Sequence, residues 1–592
     1  MRSFDPLQLD PCIVSPETLH AFDTETMGFS SHLLYVSIST PTETYGEGAN
    51  LGADHEHESA RLALWLLIEM EETFSVSNPP TWIAHNLGFD LRYVHDLMLE
   101  YWGPRYQLRY GVRSRSSIFG LDVLSPDAKG KLKVCARIRD SMAVWPGSLR
   151  TLAETFLPAD QRKLSIDVTH FDPMNAEHIA YALRDAEALR KSYLLLSEEL
   201  QRTFNVNIRS TVSSTAKAAW RGTITESYEC EPSIREYFSR SAYYGGYVGI
   251  FDRSRHEDAK TYDINSSYPA AMLQGVPDPS SWSSSQELRF DCAGIYEVEI
   301  HARPDLPIAV LPARQSDDTV LYPLGNFHTI CTSIELEEAL AWGYQIDVLG
   351  GVCYENTIYP FTSFIETCME IRQKYKGQPR ERLAKLLQNS LYGMFGLKRD
   401  RWEYRHKIGQ KRAEWVQVRK PVTAMPLWAA WITARARVNL FTTIREIGID
   451  HVLYCDTDSI TIDGEAVFPA HKIDSAEYGK WKLEKEWEWF RARAPKVYSG
   501  KIKGSHALHG AIKGIPLRRI SEVQDILAAV ERDDIIEVDG IEFVTSFGAF
   551  TRSGIFVRSG KRRVTDAANV RGRDIDMENG KVRPIIMGGV DG

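Results

Sequence analysis

The sequence predicts a protein of several domains that mixes α/β and α+β parts, and three observations carry that expectation. A chain of 592 residues exceeds what one hydrophobic core holds, so roughly three to five domains or subdomains are expected. Short apolar strand signals recur with acids set inside them, most plainly at Tyr454–Ile460, where Asp456 and Asp458 stand one residue apart between strand-forming flanks. Long helical patterns at 175–204 and 382–397 are interspersed with those strands.

Composition narrows the class. Hydrophobic residues make up 43% and charged residues 25%, without repeats or low-complexity tracts, which excludes a solenoid or a disordered chain. No apolar run approaches the length of a spanning helix, and no signal peptide opens the chain, so a membrane role is not expected. The eight cysteines are scattered without a CxxC pair, which fits a reduced, cytoplasmic compartment and no cysteine-built metal site. The net charge of -9 conceals an asymmetry: residues 1–60 sum to -9, 372–420 to +11 and 491–519 to +8. Basic stretches interleaved with Trp402, Tyr404, Trp415 and Tyr498 predict a track for a phosphate backbone, a solvated charged face being the plainer alternative.

In chain order, 19–25 reads as a strand whose period-two alternation puts Asp23 and Glu25 on one face. Further strands are expected at 33–39 and 81–86, an amphipathic helix at 60–74, and a helix opening at Leu87, with Asp90 at the strand-to-helix junction. In the 175–204 helix Tyr181 and Asp185 lie four apart and share a face. Four acids and a tyrosine match what two-metal phosphodiester hydrolysis requires: carboxylates for two cations and a group to orient water. Ser148, Leu149 and Lys163 are candidates for gripping a single strand, against the plainer reading of surface positions.

Phe22-Asp23-Thr24-Glu25, Asn86-Leu87-Gly88-Phe89-Asp90 and Tyr181-Ala182-Leu183-Arg184-Asp185 resemble the three proofreading exonuclease motifs of family B DNA polymerases. That resemblance implies an RNase H-like exonuclease domain followed by a right-hand palm, fingers and thumb, with Asn86 and Phe89 among the DNA contacts. Tyr243-Tyr244-Gly245-Gly246 is similar to the family's YxGG motif, which implies that Tyr243, Gly245 and Gly246 contact DNA and help partition the primer strand.

Thr261–Ile264 reads as a strand turning at 265–267 into a helix with Pro269 near its start, a setting where an acid beside helix amides suits a metal-bound triphosphate. Asp263 to Pro269 resembles motif A, implying Asp263 as metal ligand, Ser266 as a DNA contact and Tyr268 as the ring beneath the incoming sugar. Ser267 departs from the leucine common there. The 382–397 pattern predicts a helix with Arg382, Lys385, Asn389 and Tyr392 on one outward face. It resembles motif B, which implies that Lys385, Asn389 and Tyr392 meet the incoming dNTP, with Arg372 and Lys376 on the preceding helix as added contacts. Asp456-Thr457-Asp458 resembles motif C, with Asp458 the partner ligand of Asp263, and Lys496-Val497-Tyr498 resembles the primer-holding KxY motif.

The resemblance divides the chain into exonuclease 1–190, palm 191–300 and 421–500, an insertion 301–365, fingers 366–397, a β-ribbon 398–420 and thumb 501–592. It implies two Mg²⁺ (or Mn²⁺) ions per active site and a monomer acting on DNA primer-template and dNTPs. The two insertions resemble the terminal-protein regions of protein-primed polymerases of small phages and linear plasmids, implying a terminal protein as a further partner, with ordinary primer use or primer-independent initiation as the alternatives. A free-standing exonuclease leaves Asp263, Lys385 and Asp458 without a purpose, and a non-enzymatic scaffold needs neither acid cluster.

Overall fold

The computed structural model describes residues 14–26, 32–114, 117–164, 166, 170–228, 231–398, 400–419, 424–513, 523–532, 536–544, 550–551, 557–564, 573–575 and 582–587. They gather into two compact units built from separated stretches: 1–224, 366–423 and 541–560 in the first, 225–365, 424–540 and 561–592 in the second.

The first unit is organised on a nine-stranded sheet. Its order is Glu414–Arg419, Asp400–His406, Gln107–Ser114, Ser117–Pro126, Leu132–Asp140, Thr81–Ala84, Leu19–Thr26, Leu33–Ser39 and Thr44–Gly48. The strands at Leu132, Thr81 and Leu19 run parallel to one another, and the remaining pairs are antiparallel. Leu33–Ser39 is buried at every position, as a strand covered on both faces must be. Phe22, Val36 and Ile38 join one core with Leu62, Leu66 and Leu91 from the His55–Glu72 and Leu87–Tyr101 helices. The opposite face meets the Ala176–Phe204 helix through Leu34, Tyr35 and Ala182. Because side chains alternate along a strand, Asp23 and Glu25 fall on that second face.

The second unit holds an antiparallel sheet ordered Leu508–Ile512, Val497–Ile502, Trp481–Ala494, Lys260–Ile264, Ser459–Ile462, Val452–Asp456 and Val248–Ile250. The helix Pro426–Ile447 is buried along most of its length and contacts the Ser267–Leu273 and Ser333–Ala341 helices. A five-stranded sheet containing Ala293–Ala302, Leu324–Thr332 and Gln345–Tyr354 carries the Ser333–Ala341 helix.

Several expectations need correction. The helix expected at 382–397 begins at Pro379, whose fixed φ suits a first helical turn, and ends at Ser390; Tyr392–Met394 form a 3-10 turn beside Gly393 and Gly396. Tyr392 therefore does not continue the Lys385–Asn389 face. Lys376 stands beyond the Thr362–Lys374 helix, in a turn with Gly377 at φ +76°. The boundary at 190 cuts through one continuous helix. Residues 191–224, expected in the palm, belong to the first unit, where the Val212–Thr223 helix sets Trp220 edge-on against Phe395 at 5.2 Å.

Much of 501–592, expected to form a thumb, lies outside the described residues, as do Arg399, Lys420, Arg518, Arg519, Cys12 and Cys230. The six described cysteines are buried and unbridged. Among the described residues no helix is long and apolar enough to cross a membrane.

Candidate active sites

Among the described residues, carboxylates converge in each unit. In the first, ligand oxygens of Asp23, Glu25 and Asp185 all lie within 4.8 Å of one another. Thr24 turns the other way along the strand, and its hydroxyl donates to Asp90 Oδ1 at 2.6 Å, so Asp90 is tied to the strand through its neighbour. Lys163 reaches in from the loop before the long helix; its ammonium pairs with Asp185 and stands 4.4 Å over the Tyr181 ring.

Burial, and then Asp185, push Asp23 up to about 7; burial, and then Asp23, push Glu25 up to about 9. Asp90 and Asp185 are also raised by burial, and burial followed by Asp185 lifts Tyr181 to about 12. Burial works against the Lys163 charge, yet Asp185 and Asp23 raise its pKa on balance.

The surrounding candidates divide into two kinds. Asn86 adopts φ +74° at the start of the Leu87–Tyr101 helix, with its amide donating to Asp140 Oδ1 at 3.0 Å, and Phe89 sets its ring 5.4 Å from Tyr93. Ser148 instead caps the Leu149–Phe156 helix by accepting from the Thr151 amide at 3.2 Å, and Leu149 is buried, so both have structural duties.

In the second unit, the hairpin Val452–Asp456/Ser459–Ile462 carries Thr457 and Asp458 at its tip, and Asp263 pairs across the sheet with Ser459. The Ile264 amide donates to the Asp458 carbonyl at 2.7 Å, locking the two segments together. Asp263, Asp456, Asp458, Lys496 and Tyr498 line a cleft of about 350 Å³. Burial, then Asp263, then Asp456 raise Asp458 to about 6. Lys482 Nζ stands 3.5 Å from Asp263 Oδ2, and Lys496 Nζ 3.1 Å from Asp456 Oδ2. Tyr454 accepts from the Lys496 amide at 3.2 Å and sets its ring 5.6 Å from Tyr498.

The loop 243–246 is fastened to this centre. Arg437, buried against Glu335 at 2.6 Å, donates to the carbonyls of Tyr244 at 2.8 Å and Gly245 at 2.7 Å. Arg314 donates to the Tyr243 carbonyl at 2.9 Å, and the Thr457 amide donates to the Tyr247 carbonyl at 2.7 Å. Ser266, at φ +53°, precedes the Ser267–Leu273 helix, which carries the half-buried Tyr268 as its second residue.

Among the described residues, seven non-glycines have positive φ, and four of them, Asn86, Ser266, Thr457 and Lys496, are candidate site residues. Such backbone costs of order 1–3 kcal/mol per residue and persists where surrounding structure imposes it, as at functional sites. Lys385 and Asn389 are exposed on the Pro379–Ser390 helix, Lys376 is exposed, and Arg372 and Tyr392 are half-buried; all five belong to the first unit.

Glu484 escaped the sequence reading. It lines the same cleft and adds to the acid field on Asp458. Its position on a strand between Leu483 and Lys485 looks like a solvated charged face; the pairing of that strand with Lys260–Ile264 is the signal, and it is long-range.

The first of these carboxylate groups suits a divalent cation. Asp90 Oδ2 and Asp185 Oδ1 are buried without a hydrogen-bond partner, and donor sets of carboxylate oxygen fit Mg²⁺ or Mn²⁺ rather than soft metals.

Comparison with known proteins gives a consistent likeness. Residues 172–414 match the family described as DNA polymerase type B, organellar and viral. A probable DNA polymerase of Neurospora intermedia is 25% identical over 375 residues, 56% of this chain and 38% of that protein. The DNA polymerase of Bacillus phage phi29 is 23% identical over 419 residues, 66% of this chain and 71% of that protein. The chain spans less than two fifths of the length of the fungal relatives it matches. The structure of phi29 DNA polymerase complexed with primer-template DNA and incoming nucleotide superposes with a TM-score of 0.73 at 17% identity, covering 93% of this chain and all of that one, a likeness of fold.

Proposed function

We propose that this chain, part of which is similar to the type B DNA polymerases of organellar and viral kind, extends a DNA primer from dNTPs at Asp263 and Asp458 and removes 3′-terminal nucleotides at Asp23, Glu25, Asp90 and Asp185. The observation that carries the proposal is the presence of two separate carboxylate centres, one with Lys163 against Asp185 and the other with Lys482 against Asp263 and Lys496 against Asp456.

Mg²⁺ held by these carboxylates would offset phosphate charge and make a primer hydroxyl or a water a better nucleophile. The protein's own groups supply the rest. In the synthetic centre the hairpin tip and the Lys260–Ile264 strand hold Asp458 and Asp263 in fixed register, and Lys496 balances Asp456 while offering its ammonium to a primer phosphate. Tyr268 excludes a 2′-hydroxyl by shape, and Lys385 and Asn389 present donors to the incoming nucleotide. In the degradative centre Lys163 pairs with Asp185 and opposes the rise that burial imposes on that acid, and Tyr181, whose high pKa keeps its hydroxyl protonated, orients water by hydrogen bonding. Phe89 and Asn86 receive the single strand.

Protein priming belongs to the same reading. The five-stranded sheet with the Ser333–Ala341 helix and the antiparallel ribbon 400–419 support it as surfaces for a terminal protein and for DNA. Incubation with labelled dNTP and a protein encoded beside this chain should label that protein; unlabelled protein with intact primer extension favours ordinary priming.

The deciding experiment is primer extension with Mg²⁺ and dNTPs, repeated without dNTPs. Asp458→Ala should lose extension and keep degradation, and Asp23→Ala with Glu25→Ala should do the reverse, each by roughly a thousandfold or more. A folded variant that lost both activities would refute the two-centre assignment.

A further inference from the structure

The helix that carries Tyr181 and Asp185 continues to Glu199, which is 94% buried, with a relative exposure of 6%. Glu199 accepts from Thr203 Oγ1 at 2.9 Å and pairs with Arg202 one turn on. Its remaining partner comes from far along the chain: Arg380 Nε lies 2.6 Å from Glu199 Oε1. Arg380 occupies the first turn of the Pro379–Ser390 helix and lies over the Tyr375 ring at 4.4 Å, which orients it from the preceding turn. Two residues on, Arg382 sets its guanidinium 4.8 Å from the ring of the fully buried Trp145, and Gly147 leaves room for it, since a Cβ there would stand 3.3 Å from Arg382 Nη2. Lys385 and Asn389 follow within the next two and a half turns, both exposed.

We propose that Glu199, through Arg380, is a positioning residue for nucleotide addition: it fixes the start of the Pro379–Ser390 helix so that Lys385 and Asn389 meet the incoming triphosphate in one orientation. The inference rests on the reading of Lys385 as a dNTP contact. A helix held at its first turn by a charge-assisted bond to a buried carboxylate, and stacked on a buried indole, presents its later residues with little angular freedom. Removing the anchor leaves every dNTP-contacting side chain intact and loosens only their aim, so the cost appears in nucleotide capture. Degradation of a single strand does not use this helix and is untouched, although its acids share the helix of Glu199.

The test measures single-nucleotide addition against dNTP concentration, with Mg²⁺-dependent degradation and melting temperature in parallel. Arg380→Ala and Glu199→Gln should raise the KM for dNTP roughly three- to tenfold with kcat changed less than twofold. Arg380→Lys, which keeps the charge, should recover part of the loss, and degradation should match the parent chain. Lys385→Ala is the control. If it raises KM while Arg380→Ala and Glu199→Gln do not, the positioning role is overturned and the dNTP reading stands; if Lys385→Ala leaves KM unchanged, the dNTP reading falls and the positioning role with it. Should Arg380→Ala fail to fold, Arg380→Gln carries the comparison, and an unchanged KM there overturns the proposal.

Discussion

Thr457 closes on Gly246 so tightly that a Cβ at position 246 would stand 2.6 Å from its Cγ2 and 2.8 Å from its Oγ1. Thr457 sits between Asp456 and Asp458 at φ +62°, so the hairpin tip cannot retreat without moving both acids. Gly246→Ala should therefore slow nucleotide addition by roughly ten- to a hundredfold and leave single-strand degradation unaffected. Adding Thr457→Gly, which clears the space and relieves the backbone, should restore much of the rate. A double variant no faster than Gly246→Ala alone would show that the contact is not the cause.

Tyr268 stands two residues after the left-handed Ser266, in the first turn of the Ser267–Leu273 helix. Tyr268→Val should raise incorporation of ribonucleotides roughly ten- to a hundredfold while dNTP use falls by less, because truncation relieves a clash of shape. The ratio of kcat/KM for dNTP and rNTP reads this directly, and an unchanged ratio removes the steric role.

The first acid cluster makes stability depend on pH and on cations together. Asp23 at about 7 and Glu25 at about 9 hold protons in the folded chain that the unfolded chain has released, so their contribution is complete below about 4 and is lost as pH rises through those values. Without divalent ions the melting temperature should fall between pH 6 and pH 9. Mg²⁺ near a hundred times its dissociation constant adds about 2.7 kcal/mol, and the increment should be larger at pH 8 than at pH 6. Asp23→Asn with Glu25→Gln should abolish the difference; equal increments at both pH values in the parent chain would contradict the account.

His20 lies on the same strand, stacked on Trp82 at 4.6 Å, and burial followed by the Arg190 charge lowers its pKa to about 4. Here the sign reverses. The folded state keeps His20 neutral while the unfolded state takes up a proton near 6.5, so stability is complete above that value and is lost as pH falls towards 4. The loss reaches about 3 kcal/mol. His20→Phe, which keeps the stack, should flatten the acid side of the denaturant midpoint between pH 7 and pH 5; a variant with the same slope as the parent would assign the acid sensitivity elsewhere.

What could be read from the chain was local. The strands at Leu19, Leu33 and Val452 were legible because alternation and β-branched residues mark them, and Asp23, Glu25, Asp456 and Asp458 stood out as acids in apolar settings. The end of the Pro379–Ser390 helix was not legible, since leucines continue the helical pattern past the point where Gly393 and Gly396 favour leaving it. Lys163 looked like a surface lysine because Asp185, its partner, lies 22 residues away on another element. The same blindness to distant pairing hid Glu484 and the return of residues 366–423 to the first unit.

That return has a consequence for how the chain is made. The strand Gln107–Ser114 meets its outer neighbour only at Arg405 and His406, roughly 300 residues later, so during synthesis at about 5–20 residues per second its edge waits some 15–60 seconds uncovered. Nascent chains stalled before residue 400 should therefore be more prone to associate edge to edge than chains released past residue 419, and the ribbon acts, in time, as the cap that ends that exposure.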